Sequence, residues 1–332
     1  MSRSGGPDIA YLRGFRPVPA SSGGRFHTKS QGNQLPRLIR QAGESLLRRA
    51  AESGREGRSR VVVLVYHSVR PTQLNTNTKP EMFKKHIEWL TENCEIIPLA
   101  EVPDKAKAAG GSRPCVAITF DDGFANNYER ALPVLLDHGV EATFFITTGL
   151  VNGDERVAAR FSRLLGIEKD DVKGLSWGQL QEMQAAGMSI GAHTVTHPNL
   201  GDLGPDDTRR ELELSKLELE DRLGVAVRSF AYPFGKPKHH FTETTIGQVQ
   251  ETGFSLAVAV HHRGVLPGDR RFCIPRFAIA EDDIAGLSRK IHGNADGVGI
   301  WQQVAPRWLS HLVSRSHSVR GELSLIDSKE AD

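Results

Sequence analysis

The sequence predicts an α/β protein whose parallel strands, covered by outer helices, close into a distorted (β/α) barrel. Short apolar segments of strand length alternate along the chain with amphipathic segments of helix length, which is typical of parallel sheets. Polar motifs come directly after three of the predicted strands, and in a barrel the ends of such strands converge on one face. The barrel is therefore favoured over an open doubly wound sheet.

The predicted strands are short and apolar, and turn residues separate them from the segments that follow. The first is a continuous apolar run, as expected of a strand that is buried on both faces. The strands are predicted over residues 61–66, 115–120, 142–146, 189–192, 227–232 and 256–260.

The segments between these strands predict helices, with apolar residues near the 3.6-residue spacing and recognisable ends. Ser176 is placed as a helix-capping residue, and Gly187 and Gly224 are placed where helices end. The helices are predicted over residues 80–90, 124–136, 176–186, 206–223 and 241–252.

Three regions are predicted: a basic, largely disordered arm over 1–58, a folded domain over 59–298, and an amphipathic helix with a frayed end over 299–332. Residues 1–60 carry 12 Lys and Arg against 4 Asp and Glu, whereas the whole chain has a formal net charge of +2. The basic character therefore belongs to the arm, in which a helix is predicted over 35–54. A peripheral membrane contact through this arm is left open, and no nucleic-acid partner is expected.

Nothing in the sequence predicts export. The three cysteines are too few and too scattered for a disulfide framework. No apolar run approaches the roughly 18–20 residues of a membrane span, and the N-terminus lacks the apolar core of a signal peptide. We therefore expect a cytoplasmic protein, with membrane association through the arm as the open alternative.

Two adjacent carboxylates, Asp121 and Asp122, follow the second predicted strand directly. Neighbours at a strand end point in roughly opposite directions, so we expect different roles for them. A helix-capping turn would explain this segment alone, and His193 and His197 alone would be surface histidines. Together with Asp122, the two histidines form a metal-binding triad that leaves positions open for water and substrate.

A third segment, residues 230–235, places aromatic side chains around a proline and a glycine at the end of the fifth predicted strand. These side chains suit the wall of a groove, and a backbone N–H there could face a developing oxyanion. A plain turn with core aromatics explains the same residues when they are considered alone.

These three segments resemble the polysaccharide deacetylases, the NodB-homology family that is also classed as carbohydrate esterase family 4. Residues 119–123 match the family's first motif, and residues 193–198 match its His-Ser/Thr-x-x-His-Pro motif. Residues 231–235 are similar to the third motif of the Tyr-Pro-Phe/Tyr-Gly branch. The resemblance extends over about residues 61–285 and implies a distorted barrel of the NodB-homology type.

The resemblance implies that Asp122, His193 and His197 bind a divalent metal, zinc in the first place, with cobalt or nickel as substitutes. Asp121 would be the general base that takes a proton from a metal-bound water, and the resulting hydroxide would attack an N-acetyl carbonyl. A backbone N–H near Tyr232 would stabilise the oxyanion. The substrate and oxyanion contacts implied in this way are Tyr232, Pro233, Phe234 and Trp177.

The chain departs from the family pattern at two points. Ala231 stands where many members carry an arginine that holds the base, and Arg276, in a later Pro-Arg element, is predicted to supply that charge. The late Leu-x-His motif that provides a general acid is not evident, and His67, which follows the first strand, is the favoured replacement. The other histidines considered for the acid are His261, His262 and His292.

The function predicted on this basis is metal-dependent removal of N-acetyl groups from an N-acetylhexosamine-containing glycan or from a glycolipid precursor. The missing export signal favours a cytoplasmic precursor over mature cell wall. Two alternatives remain: hydrolysis of a small non-sugar amide at the same site, and glycan binding without catalysis. The second is disfavoured because both aspartates and both motif histidines are present. The natural glycan, its chain length and the oligomeric state are left open.

Overall fold

The computed structural model describes residues 59–71, 77–108, 111–280 and 282–296. The arm predicted over 1–58, the helix within it and the C-terminal helix predicted over 299–332 lie outside the described residues. The boundaries of the three predicted regions therefore stay predictions. No helix in the described ranges combines the length and the apolar character needed to cross a bilayer.

The described part of the chain contains ten strands, most of them short. They are β1 (Val61–Tyr66), β2 (Ser68–Val69), β3 (Asn77–Thr78), β4 (Glu95–Ile96), β5 (Cys115–Phe120), β6 (Thr143–Ile146), β7 (Ser189–Ala192), β8 (Ser229–Ala231), β9 (Leu256–Val260) and β10 (Ile274–Ala278). Strands β1 and β5 to β10 are all parallel, and they close into a barrel because β1 pairs with both β5 and β10. The predicted parallel barrel is thereby confirmed.

The smaller strands lie outside this ring. β4 pairs with the first two residues of β5, while β6 pairs with the last two. β2 and β3 form a separate parallel pair directly after β1. The loop that leaves β1 is therefore held by sheet hydrogen bonds close to the barrel mouth.

Helices follow most of the strands and cover the outside of the barrel. They are α1 (Pro80–Asn93), α2 (Val102–Lys105), α3 (Leu132–Asp137), α4 (Thr148–Val151), α5 (Glu155–Leu165), α6 (Trp177–Ala185), α7 (Pro205–Leu223), α8 (Glu243–Glu251) and α9 (Ile284–His292). Ser176 and Gln179 form a reciprocal capping box at the start of α6. Gly224 ends α7 in the left-handed region, where a glycine carries no steric cost.

Side chains along β1 alternate between two apolar clusters, as the two-residue period of a strand requires. Val62, Leu64 and Tyr66 pack in the larger cluster, together with the outer helices. Val61 and Val63 pack in a smaller cluster with residues from other barrel strands, which fills the interior.

The same alternation directs two charged side chains into the barrel. Cys115 and Ala117 on β5 belong to the interior cluster, and Asp121 has the same parity just beyond the strand. Ile274 on β10 belongs to that cluster as well, and Arg276 follows it by two residues. The sequence periodicity thus accounts for a carboxylate and a guanidinium on the inside of the barrel.

The structure corrects several predicted elements. The fifth predicted strand is limited to Ser229–Ala231, and the helix predicted over 124–136 is a π-helical turn, Asn127–Ala131, followed by α3. β10, α5 and α9 are absent from the prediction. β10 was missed because the Pro275-Arg276 pair interrupts its apolar run, and a proline and a charged residue in such a run indicate the end of a strand.

Candidate active site

Three barrel strands bring a group of polar side chains together at their carboxyl ends. Asp121 and Asp122 follow β5, His193 and His197 follow β7, and Arg276 lies on β10. All five side chains are buried, although charged groups are rarely buried without partners. The contacts between them supply those partners.

The carboxylate of Asp122 lies next to both imidazoles. Its Oδ1 atom is 3.5 Å from Nε2 of His193 and 3.4 Å from Nε2 of His197. One ligand atom from each of the three residues lies within 4.8 Å of the other two. One carboxylate oxygen and two imidazole nitrogens suit zinc and similar divalent ions. The structure therefore brings the three predicted metal ligands together.

The protonation of His193 fits a metal ligand. Its Nδ1 atom lies 2.8 Å from the carbonyl oxygen of Ala231, and a proton donated there leaves a lone pair on Nε2. Nε2 is buried and has no hydrogen-bond partner among the described residues, a costly situation for an acceptor. A cation between His193 and Asp122 would satisfy that atom, so the residues present fit a divalent metal.

His197 is held between two phenyl rings. Its ring centre lies 4.9 Å from that of Phe161 on α5 and 4.8 Å from that of Phe234. Burial lowers the pKa of His197 to about 3. The imidazole is therefore neutral at physiological pH, which is the form that binds metals.

The turns that carry these residues have left-handed backbone conformations. The φ angle is 75° at Asp122, 66° at Thr194, 53° at His197 and 59° at Phe234. Non-glycine residues seldom adopt such angles, and they persist where surrounding contacts determine the conformation, commonly at functional sites. In this protein the four angles belong to residues around the imidazole of His197, whose ring contacts Phe234.

Asp121 forms a bidentate ion pair with Arg276. Two guanidinium nitrogens donate to the two carboxylate oxygens, each at 2.7 Å. One of those nitrogens also donates to the hydroxyl of Thr119 at 3.1 Å, and the guanidinium carbon lies 5.5 Å from the centre of the Phe145 ring. Arg276 thus places its positive charge against the carboxylate of Asp121.

Both aspartates are ionised although both are buried. Burial by itself would raise the pKa of Asp121, but the charges of Arg276 and His193 and the hydrogen bonds from Arg276 together outweigh it, and the pKa lies below its usual range. At Asp122 the effect of burial is outweighed by the two imidazoles, which lower the pKa to about 2. His193 shows the reverse balance: burial would lower its pKa, but the contacts with Asp121, Asp122 and the Ala231 carbonyl together outweigh burial and raise it.

His67 follows β1, and a positive charge on its ring would lower the pKa of both aspartates. Its Nδ1 atom is buried and lacks a hydrogen-bond partner in the described part of the chain. Asn126 fixes the adjoining backbone by accepting from the N–H of Val69 at 2.8 Å and donating to the hydroxyl of Ser68 at 3.0 Å. His67 therefore lies within electrostatic range of the cluster.

The other histidines considered for the acid make their contacts elsewhere. His292 ends α9 and bonds to Ser288 on the protein surface. His261 lies 3.8 Å from the sulfur of Cys273, and burial lowers its pKa to about 4. His262 is half-buried, and its desolvation lowers its pKa to about 4.

Tyr232 lies in the core and not on a groove wall, which corrects the expectation for this residue. Its ring stacks on Phe241 at 3.8 Å, and its hydroxyl donates to the carbonyl of Phe272 at 2.9 Å. Its backbone N–H donates to the carbonyl of Val258 at 3.3 Å within the barrel, so that donor is not directed at an oxyanion. A fully buried tyrosine of this kind packs its ring and satisfies its hydroxyl internally.

Phe234 is the residue of the third motif that reaches the site, through its ring contact with the triad. Pro233 is buried beside it in the chain. Trp177, by contrast, lies on the outer layer, where its Nε1 atom donates to Asn152 at 2.9 Å and its ring faces Arg222 at 5.4 Å. Neither partner belongs to the cluster, so the structure does not bring Trp177 to the site.

Two residues that shape the loop between the metal ligands escaped the sequence prediction. Glu211 on α7 and Arg160 on α5 both bond to that loop. Both lie on amphipathic helices among many other charged residues, and such residues ordinarily indicate a solvated helix face. No signal in a single sequence distinguishes them.

The chain is similar to several polysaccharide deacetylases. A family model described as Polysaccharide deacetylase matches residues 108–257. YxkH of Bacillus subtilis (strain 168), whose name places it among the polysaccharide deacetylases, is 28% identical over 202 residues, which cover 60% of this chain and 64% of YxkH. The chain thus spans a little under two thirds of that relative. The poly-beta-1,6-N-acetyl-D-glucosamine N-deacetylase of Staphylococcus aureus (strain MSSA476) is 24% identical over 223 residues, or 66% of this chain and 73% of that protein.

Solved structures share the fold. The Streptococcus pyogenes deacetylase PplD in complex with acetate aligns with a TM-score of 0.59 and 22% identity, covering 70% of this chain and 99% of that one. IcaB from Ammonifex degensii aligns with a TM-score of 0.55 and 24% identity, covering 74% and 98%. Fold and site together define a parallel (β/α)-barrel protein with an Asp-His-His cluster at its strand ends. The family model therefore supports the membership of the polysaccharide deacetylase family that the motifs predict.

Proposed function

We propose that this chain is a metal-dependent N-deacetylase that acts on an N-acetylhexosamine-containing glycan or glycolipid precursor. The observation that carries the proposal is the contact of Asp121 with Arg276 directly beside the triad of Asp122, His193 and His197. A carboxylate for proton transfer and a separate donor set for a metal are what amide hydrolysis at such a site requires. The name of the staphylococcal relative supports the choice of glycan class.

Asp122, His193 and His197 would hold the divalent ion, zinc in the first place. When bound, that ion would polarise the amide carbonyl and lower the pKa of a water molecule in the site. The protein contributes by keeping two of the donors deprotonated, with a pKa of about 2 at Asp122 and about 3 at His197. It also fixes the tautomer of His193 through the carbonyl of Ala231.

Asp121 is suited to accept a proton. Each of its oxygens takes one N–H from Arg276 and retains a second lone pair. The bidentate contact fixes the orientation of the carboxylate, and the lowered pKa keeps it ionised at neutral pH. Asp121 can therefore serve as the general base in a defined geometry.

His67 is the group we propose for the second proton transfer. Cleavage of an amide C–N bond releases an amine, and the departing nitrogen must receive a proton. His67 lies within electrostatic range of both aspartates, and its buried Nδ1 atom has no partner among the described residues. Asn126 holds the backbone that follows it, so the imidazole is positioned from its own loop.

The test is acetate release from N-acetylglucosamine oligomers and from a small acetylated amine, with added zinc or cobalt and with a chelator. We expect metal-dependent release from the oligomers. Asp121→Asn should lower turnover by about 10²–10⁴-fold and still bind metal stoichiometrically. Its matched control is Asp122→Asn, the same change one residue later, which should lose the metal as well.

The remaining outcomes separate the alternatives. Release from the small amine alone would replace the glycan by a small non-sugar amide as substrate. Stoichiometric metal binding without release from either substrate would favour a glycan-binding protein without catalysis. A wild-type protein that binds no metal would rule out the proposed metal-dependent hydrolase.

A further inference from the structure

The loop that joins the two imidazole ligands is held from outside the barrel by Glu211 of α7. Its Oε2 atom accepts from the backbone N–H of Val195 at 2.8 Å and of Thr196 at 2.9 Å, and its Oε1 atom accepts from the Thr196 hydroxyl at 2.7 Å. Three residues separate His193 from His197 in the sequence, and one carboxylate binds two of them. Two successive N–H groups that converge on one acceptor form a strong anion site.

This loop needs such contacts because its backbone is strained. Thr194 and His197 have φ angles of 66° and 53°, a region that a β-branched residue such as threonine adopts only rarely. The Thr194 hydroxyl accepts from the N–H of His197 at 3.0 Å and closes the turn locally. That bond lies within the loop, so it cannot fix the loop relative to the barrel.

Contacts on the other side limit where the loop can move. The N–H of Gly149 donates to the carbonyl of Val195 at 2.9 Å, and a Cβ at Gly149 would lie 2.5 Å from that oxygen. Arg160 donates to the carbonyl of His197 at 3.1 Å. The loop carbonyls are therefore bound by α4 and α5, and two of its N–H groups are bound by Glu211.

We propose that Glu211 is a positioning residue for the metal centre. By holding Val195 and Thr196 it fixes His197 relative to His193, and it thereby sets the affinity for the metal without touching the substrate. The inference rests on the proposed function, because it takes the triad to be a metal site. Groups that orient metal ligands commonly contribute ten- to hundredfold to affinity.

The test measures binding of cobalt and zinc alone to Glu211→Ala, Glu211→Gln and Glu213→Ala. Alanine removes all three contacts and should weaken metal binding by about 10–100-fold. Glutamine can present its oxygen to the two N–H groups and its nitrogen to the Thr196 hydroxyl, which can accept as well as donate. Glu211→Gln should therefore restore nearly wild-type binding.

Glu213 provides the matched control. It is exposed two residues further along α7, and its ion-pair contact is with Arg209 at 4.0 Å. Glu213→Ala should leave metal affinity unchanged. In Glu211→Ala, excess metal should return kcat close to the wild-type value, because the residue acts on the ligands and not on the reacting atoms. A residue needed merely for folding would not give that recovery.

Two results would overturn the inference: equal metal affinity in Glu211→Ala and wild type, or equal weakening by Glu213→Ala. If Glu211→Ala does not fold, Thr196→Val replaces it, since it removes one of the three contacts and should give a smaller loss of affinity. Unchanged affinity in that variant would also count against Glu211. A wild-type protein that binds no metal would overturn the proposed function instead, so the two failures are distinguishable.

Discussion

The two adjacent aspartates are held by different parts of the molecule. Asp121 points into the barrel, where the fully buried Arg276 binds both of its oxygens. Asp122 points to the imidazole loop, whose shape depends on Glu211 and Arg160 from outer helices. One carboxylate is thus positioned by the core of the protein and the other by its periphery.

This difference separates folding stability from metal affinity, two properties that a buried site usually combines. Loss of a contact in the interior should appear first as loss of folding stability, because a buried charge is left without a partner. Loss of a contact on the loop should appear first as loss of metal affinity, because part-exposed groups contribute less to folding. Substitutions on the two sides should therefore give distinct results.

The largest expected effect is that of Arg276→Met. The change leaves the carboxylate of Asp121 buried without its cation, and breaking a buried pair in this way typically destabilises a protein by about 3–5 kcal/mol. We expect the free energy of unfolding of the metal-free protein to fall by that amount in a denaturant titration. Turnover should be lost as well, because the base is no longer oriented.

The control for this prediction is the double variant Arg276→Met with Asp121→Asn. It removes the unpaired charge, so most of the stability should return while turnover stays absent. A double variant as unstable as the single one would show that Arg276 stabilises the barrel through packing, for example on Phe145, and not through the ion pair.

The second-largest expected effect is on the pH dependence of metal binding, which connects the interior Asp121 with the imidazole loop. Against the effect of burial, the charges of Asp121 and Asp122 raise the pKa of His193 above the ordinary imidazole value. Since only the neutral ring binds a metal, protons should displace it as the pH falls through that raised pKa. His197 has a pKa of about 3 and stays neutral throughout this range.

Asp121→Asn removes one of the charges that raise the pKa of His193, so proton competition should begin at a lower pH than in the wild type. The measurement is cobalt affinity by absorption in both proteins, from about pH 8 to about pH 5, where imidazoles titrate. Identical pH profiles would mean that Asp121 does not control the protonation of the metal ligand.

Elements with local signals were predictable from the sequence. β1 and β5 are continuous apolar runs that end at polar residues, and the structure places both ends of each strand as predicted. β10 has no such signal, because the Pro275-Arg276 pair interrupts its apolar run, and only the family resemblance indicated that Arg276 pairs with Asp121, 155 positions earlier. A buried ion pair between distant segments leaves no pattern within either one.

The candidate site shows the same limit. The spacing of His193 and His197, together with Asp122, indicated a metal triad, since these residues follow predicted strands whose ends converge on one face of a barrel. Glu211 binds backbone N–H groups, and any loop sequence offers those groups. Its contribution could be recognised only from the position of α7 against the loop.

The smallest effects concern two aromatic residues of one motif, which the sequence could not tell apart. Tyr232→Phe removes the hydrogen bond to the carbonyl of Phe272 and should cost about 1 kcal/mol of unfolding free energy. Metal affinity should stay unchanged, because Tyr232 is in the core. Phe234→Leu removes a ring contact with His197, and such aromatic pairs contribute about 0.5–1.5 kcal/mol.

Phe234→Leu should therefore weaken cobalt binding by less than about tenfold and leave stability close to that of the wild type. The pair of variants tests whether the third motif is divided between core and site, as the contacts of its two rings indicate. If Tyr232→Phe changed metal affinity as much as Phe234→Leu, the motif would act as one unit. The separation between groups that the core positions and groups that the loop positions would then not apply to the third motif.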